Sequence, residues 1–248
     1  MKSDLNNGGY AFAHQPIIRS LEGTVLSHEI LLREFNGLSV SDFLDQPGMF
    51  CTHLEELVRC KAKMVKHLML EEALSIVFIN FTPNQIAHPK FLESLKQFYV
   101  LGIAPSDVAL EVTEQSHANN PPVFYENLNI ARQLGHPIVV DDFGSGVSNF
   151  KHVKRLQPNI VKIDREVLCG ALENNYNYKF LMHLVHFLKQ IGTNVVIEGV
   201  ETEEHFDIAL KSGCDFMQGY YFGRPITVHS NSMQEKARGL QLVKATAS

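Results

Sequence analysis

The sequence has no tryptophan and only four cysteines in 248 residues: Cys51, Cys60, Cys169 and Cys214. None forms a C-x-x-C pair, which excludes a disulfide scaffold and a cysteine-rich zinc module and reads as reduced thiols of a cytoplasmic protein. No apolar run approaches the ~20 residues of a membrane helix, and the N-terminal MKSDLNNGGYAF lacks the apolar core of a secretory signal, so no membrane span is expected. No Pro/Gly/Ser-rich linker interrupts the chain. The 10 prolines and 16 glycines are scattered as single punctuation marks, which favours one domain over 1–248. There is no excess of positive charge: 22 Lys and Arg face 27 Asp and Glu, a net charge of −5, which argues against nucleic acid as a partner.

What is present is a rhythm. The 45% hydrophobic content is that of a globular chain. β-rich runs stand at 11–18, 25–33, 75–81, 107–114, 137–142, 159–164, 194–199 and 215–222. Helical spacing fills much of the rest: 51–70, 88–98, 122–134, 176–191 and 202–212, with a last helix expected in the tail near 230–242. The first two runs are separated by SLEGT, too short for a parallel crossover, so they read as an antiparallel hairpin. The strand–helix alternation that follows implies parallel strands. Eight strands in this length fit an α/β (β/α)8 barrel, with an open doubly wound sheet as the competing architecture.

The apolar strands end in polar residues. These are Glu29, Asn80, Glu111, Asp141 with Asp142, Lys162 with Asp164, Glu198 and Gln218. Any one of them can be a helix cap. Glu inside an apolar run is not needed for capping, and a barrel collects all its strand ends at one mouth. Carboxylates with one amide oxygen suit Mg²⁺ or Mn²⁺ better than zinc. Two such ions can share a carboxylate, activate water and neutralise charge on a phosphate. Lys162 can orient that water, and Arg33 offers a planar fork to a phosphate. The composite points to metal-dependent phosphoester hydrolysis.

The motifs resemble one family. QPI at 15–17, EILLR at 29–33, Asn80 before FTP, ALEVTE at 109–114, DDFGSG at 141–146, VKID at 161–164, IEGVET at 197–202 and QGYYFGRP at 218–225 are similar to the EAL domain of cyclic-di-GMP phosphodiesterases, over about residues 10–226. The resemblance implies a modified TIM barrel whose first strand is antiparallel to the others. It implies hydrolysis of cyclic di-GMP to linear pGpG with two Mg²⁺ or Mn²⁺ ions per site, inhibition by Ca²⁺, and a homodimer. Glu29, Asn80, Glu111 and Asp141 match ligands of one metal, and Asp141, Asp142 and Glu198 positions around the second. Lys162 matches the lysine near the attacking water. Glu201 matches a further catalytic position, and Gln15, Arg33 and Gln218 match substrate contacts. Glu114 matches a brace for the loop at DDFGSG. Dimerisation is expected through Asn149 to Arg155 and the helix after Asp164. Asp164 faces the same way as Lys162, with no role assigned.

Departures are mild. Ile30 replaces alanine and should point at the helices, His14 replaces an aromatic, and Val147 replaces a tyrosine. No expected ligand is missing, which favours an enzyme over a catalytically silent module that binds the dinucleotide or a protein. His28-Glu29 begins like a zinc-helix motif, but no second histidine follows, and zinc there is set aside. The twelve histidines read mostly as surface residues of helices, and Lys61, Lys63 and Lys66 as a solvated basic face.

Overall fold

The structure is a computed structural model describing residues 9–231, apart from 73, 75, 114–117 and 146–148. Its strands are β1 (Tyr10–Arg19), β2 (Val25–Phe35), β3 (Leu38–Ser39), β4 (Val77–Phe81), β5 (Val108–Thr113), β6 (Ile138–Phe143), β7 (Ile160–Ile163), β8 (Asn194–Ile197), β9 (Phe216–Gln218) and β10 (Ile226–His229). Eight of them run in the order β1-β9-β8-β7-β6-β5-β4-β2, and pairing of β1 with β2 closes the ring, so a barrel forms and not an open sheet. The strand β1 is antiparallel to both neighbours, while the other seams are parallel. The hairpin expected at SLEGT is therefore what turns the first strand against the rest.

Strand alternation divides the barrel into layers. Ile17, Phe78, Ala109, Val139, Ile160 and Val196 form a closed apolar cluster inside it, with Phe216 packed against them. Two residues nearer the mouth on the same strands stand Gln15, Asn80, Glu111, Asp141, Lys162, Glu198 and Gln218, and β2 supplies Glu29. Register lifts these residues together. Glu29 lies opposite Phe78, Glu111 opposite Val139, Lys162 opposite Val196, and Gln218 opposite Ile17. Four offsets of two residues total a stagger of eight, the value at which eight strands close. Residues of the other parity face outward. Ile30 is among them, buried in the larger cluster between strands and helices, so its replacement of alanine alters packing and not the mouth.

The helices form where spacing and caps agree. Leu54–Glu72 buries Leu54, Leu57, Val58, Val65 and Leu68 along one stripe. Glu203–Ser212 starts at Thr202, whose hydroxyl accepts from the His205 N–H, and stops at Gly213 with φ +75°. Thr82 and Gln85 cap each other at the start of the short helix Pro83–Ile86.

Several expectations need correction. The run 215–222 is a strand only over Phe216–Gln218, and Gly219 then packs so closely on Val200 that a Cβ there would sit 2.1 Å from its carbonyl oxygen. The strands β3 and β10 and the helices Val40–Asp45, Gly48–Thr52 and Pro83–Ile86 were not expected; β10 covers the outer edge of β1. Lys61 is not a solvated residue but is buried against the barrel. His14, His28, His136 and His205 are buried too. The tail beyond 231, with its expected helix, lies outside the described residues. No helix among the described residues is long and apolar enough to cross a membrane.

Candidate active site

One ammonium group organises the mouth. Lys162, fully buried, lies 2.5 Å from Glu111 Oε1, 2.6 Å from Glu198 Oε1, 3.0 Å from Glu29 Oε2 and 3.5 Å from Asp141 Oδ1. Glu29 is the best satisfied of the four acids. It accepts from Lys162, from Asn80 Nδ2 at 2.7 Å and from Gln218 Nε2 at 2.8 Å. With its amide nitrogen committed, Asn80 has its Oδ1 left for another ligand. Glu111 Oε2 is buried without a hydrogen-bond partner, and Asp141 Oδ1 has only the long contact with Lys162, a costly state for an anion.

A β-bulge adds the fifth acid. On β6, Val140 lies opposite Val161 and Phe143 opposite Ile163, so Asp141 and Asp142 together face Lys162 alone. Asp142 takes φ +55°, a left-handed conformation that Asp tolerates better than most residues. The bulge breaks the alternation that would turn neighbouring side chains apart. Carboxylate oxygens of Asp141, Asp142 and Glu198 thereby come within 4.8 Å of one another.

The charges respond to this crowding. Burial, with the charge of Glu29, pushes the Glu111 carboxyl well above the usual range, and Lys162 does not offset it. Burial raises Asp141 and Glu198 in the same way. Asp142 is raised to about 6 by burial and by Asp141 and Asp164. Burial also acts on Glu29, but the Lys162 charge and the hydrogen bonds from Gln218 and Asn80 win and hold it low. For Lys162 burial favours the neutral amine, and four surrounding carboxylates override it, so the ammonium is held well above its ordinary pKa.

The remaining expected residues lie around this ring. Gln15 donates to the Gly223 carbonyl at 3.1 Å and lies 3.4 Å from Gln218 Nε2, so both amides line one side of the mouth. Arg33 lies four residues further along β2, at the register shift where Leu32 opposes Phe12 and Glu34 opposes Ala11, and is half-buried. Glu201 is not part of the acid ring; it pairs with Arg165 at 2.8 Å on the rim. Asp164 caps the helix Arg165–Glu173 by accepting from the Glu166 N–H at 2.7 Å. Glu114, Gly146 and Val147 lie outside the described residues. Sequence reading missed Lys61, whose Nζ donates to the Asn80 carbonyl at 2.6 Å from beneath the mouth. Its pKa is lowered to about 7 by burial. Its place on the buried stripe of its helix, between Val58 and Val65, was the available signal. On the outer face, burial also holds His14 and His28 below the ordinary histidine pKa.

The raised carboxyls set a pH dependence. Each binds its proton more tightly folded than unfolded, so the metal-free protein loses stability as pH rises from the unfolded carboxylate values through the raised ones. His14 and His28, with lowered values, act oppositely, but their effect is complete by about pH 7. Between pH 7 and 8, Lys61, lowered to about 7, gains stability as pH rises, while Glu198, raised to about 8, loses it. The melting temperature of chelator-treated Glu198→Gln is therefore expected to rise relative to that of the wild type across this window. A difference between Glu198→Gln and wild type that does not grow with pH in this window contradicts the assignment.

The profile of the EAL domain family matches residues 1–225. The chain is 27% identical over 237 residues to the probable cyclic di-GMP phosphodiesterase PdeG of Escherichia coli, covering 92% of this chain and 46% of PdeG. It thus spans less than half of that relative's length. Among solved structures, the manganese/cy-diGMP complex of BlrP1 from Klebsiella pneumoniae superposes with a TM-score of 0.77 at 27% identity, over 91% of this chain and 58% of that one. The c-di-GMP complex of the PaMucR phosphodiesterase gives 0.74 at 26% identity, over 87% and 91% of the two chains. Motifs, barrel and family profile agree, and the chain belongs to the EAL domain family.

Proposed function

We propose that this chain hydrolyses one phosphodiester bond of cyclic di-GMP to give linear pGpG, using two divalent ions, Mg²⁺ or Mn²⁺, at the mouth. The observation that carries the reading is the charge imbalance: five carboxylates, Glu29, Glu111, Asp141, Asp142 and Glu198, gather around one ammonium. If all five ionise, four negative charges remain, the charge of two divalent cations. The donor set fits such ions, being oxygen only, with a buried unpartnered oxygen on Glu111 and a weakly partnered one on Asp141. Glu29, Asn80, Glu111 and Asp141 would hold one ion, and Asp141, Asp142 and Glu198 the other. Ions bound there supply Lewis acidity, lowering the pKa of water and neutralising charge on the phosphate. Manganese and cyclic di-GMP in the BlrP1 complex support this reading. Ca²⁺, which prefers more ligands at longer range, is expected to fill the site unproductively.

The protein's own groups would do the rest. Lys162 keeps its proton through the contacts above, so it offers a fixed positive charge beside the attacked phosphorus rather than a base. Gln15 and Gln218 present amides to the substrate, and Arg33 suits its second phosphate. Glu201, held by Arg165, would orient groups at the rim. Glu114 would brace the loop at DDFGSG.

Mixing the protein with cyclic di-GMP and Mg²⁺ or Mn²⁺ is expected to yield pGpG. Glu111→Gln is expected to lower kcat by at least about 100-fold, since it removes a buried charge from the ion site. Tight binding of the dinucleotide with no product under either metal overturns hydrolysis in favour of a silent binding module.

Assembly is the second part of the reading. Phe150 on the expected helix Asn149–Leu156 joins Tyr176, Phe180 and Phe187, which lie on the helix Asn175–Gln190 and not on the expected Arg165–Glu173, in an apolar face exposed beyond the DDFGSG loop. A second copy of the chain would cover it, as a C2 dimer. Sedimentation is expected to give a dimer that Phe187→Glu dissociates; a monomer at assay concentration with full activity contradicts it.

A further inference from the structure

A second cluster of ligand-type side chains stands on the other side of the hairpin from the acid ring. His14 neighbours Gln15 on β1 and His28 neighbours Glu29 on β2, so alternation turns both imidazoles outward, against the end of the helix Leu54–Glu72. In the register His14 lies opposite Ile30 and His28 opposite Pro16, which makes the two histidines diagonal neighbours. Their ring centroids are 4.8 Å apart. Glu72, the last residue of the helix, reaches both: Oε1 is 3.8 Å from His14 Nδ1 and Oε2 is 3.3 Å from His28 Nε2. The histidines are 6% and 5% exposed, whereas the Glu72 side chain is 36% exposed and leaves a path to solvent. Both imidazoles bury an Nδ1 atom that has no hydrogen-bond partner.

We propose that His14, His28 and Glu72 bind one borderline transition-metal dication, Zn²⁺ foremost, that ties the β1–β2 hairpin to the helix Leu54–Glu72. The donor chemistry separates this site from the mouth. Two imidazole nitrogens and one carboxylate suit zinc and its row neighbours, whereas the all-oxygen mouth suits Mg²⁺ and Mn²⁺. Spacing agrees: tetrahedral ligands about 2.0–2.1 Å from zinc stand roughly 3.3 Å from one another. The three groups offer atoms all within 4.8 Å of one another, which leaves about 1.5 Å to close on binding. The exposed side of Glu72 leaves a fourth position to water. A metal here would hold from behind the two strands that carry Gln15 and Glu29.

The sequence concealed this arrangement. A zinc helix repeats its histidine four residues on, and Leu32 stands there. Here the second imidazole comes from the paired strand and the carboxylate from a helix 44 positions after His28.

The test uses the full chain, stripped with chelator and returned to millimolar Mg²⁺ to occupy the mouth. Co²⁺ is titrated in and read by its visible absorption, then displaced by Zn²⁺. One Co²⁺ per chain with the intense spectrum of a low-coordinate nitrogen–oxygen site is expected. Glu72→Gln, at an exposed helix end where folding is safe, is expected to weaken Co²⁺ at least about 10-fold and to cancel the rise in melting temperature that Zn²⁺ gives the wild type. His14→Ala is expected to do the same, and Asp141→Asn to leave the spectrum unchanged. A Co²⁺ spectrum that survives Glu72→Gln, or disappears in Asp141→Asn, places the ion in the mouth and overturns the proposal. So does a wild type that takes up no Co²⁺ or Zn²⁺ in the presence of Mg²⁺.

Discussion

The constraint on which the rest depends is a buried excess of negative charge. Lys162 contacts four carboxylates inside the barrel, and Asp142 adds a fifth from the bulge. One buried ammonium cannot neutralise five anions. Burial, compounded by this crowding, makes four of the acids hold protons more tightly than usual, whereas Glu29, with Lys162, Gln218 and Asn80 on it, does not. Removing Lys162 would leave these anions facing one another in a low-dielectric interior, and losses of about 3–5 kcal/mol attend such broken buried pairs. The protein keeps an unfavourable cluster because the remainder of the fold supports it.

That support is the barrel itself. An apolar layer of Ile17, Phe78, Ala109, Val139, Ile160 and Val196 fills the interior beneath the acids, and each of those strands carries its polar residue two positions nearer the mouth. The staggered register brings these positions to one mouth. Gln15 arrives from the opposite direction because β1 runs against the others. The same parity sends Ile30, His14 and His28 outward, so one hairpin serves two chemically different faces.

Much of this was legible in the sequence. The hairpin, the barrel and the polar strand ends followed from run length and alternation, since those are local properties of the chain. Glu29, Asn80, Glu111, Asp141, Lys162 and Glu198 all reach the ring. What escaped depends on long-range contact. The bulge that aims Asp142 is a property of pairing between β6 and β7, and no pattern along 137–142 announces it. Lys61 and the histidines read as surface groups because polar residues usually are, yet Lys61 finds a carbonyl and His14 finds His28 across a strand pair. Asp164 looked like another mouth residue by parity, but its short side chain turns back to cap a helix. Glu201 shares a motif with Glu198 but spends its charge on Arg165.

The central claim is that the acid ring is built for two divalent cations. Crystals grown in Mn²⁺ and measured at the manganese absorption edge test it most directly. The account predicts two anomalous peaks, one between Glu29, Asn80, Glu111 and Asp141 and one between Asp141, Asp142 and Glu198, with Asp141 bridging and Lys162 still in contact with the ring. A single peak, or none within reach of Asp141, would contradict it.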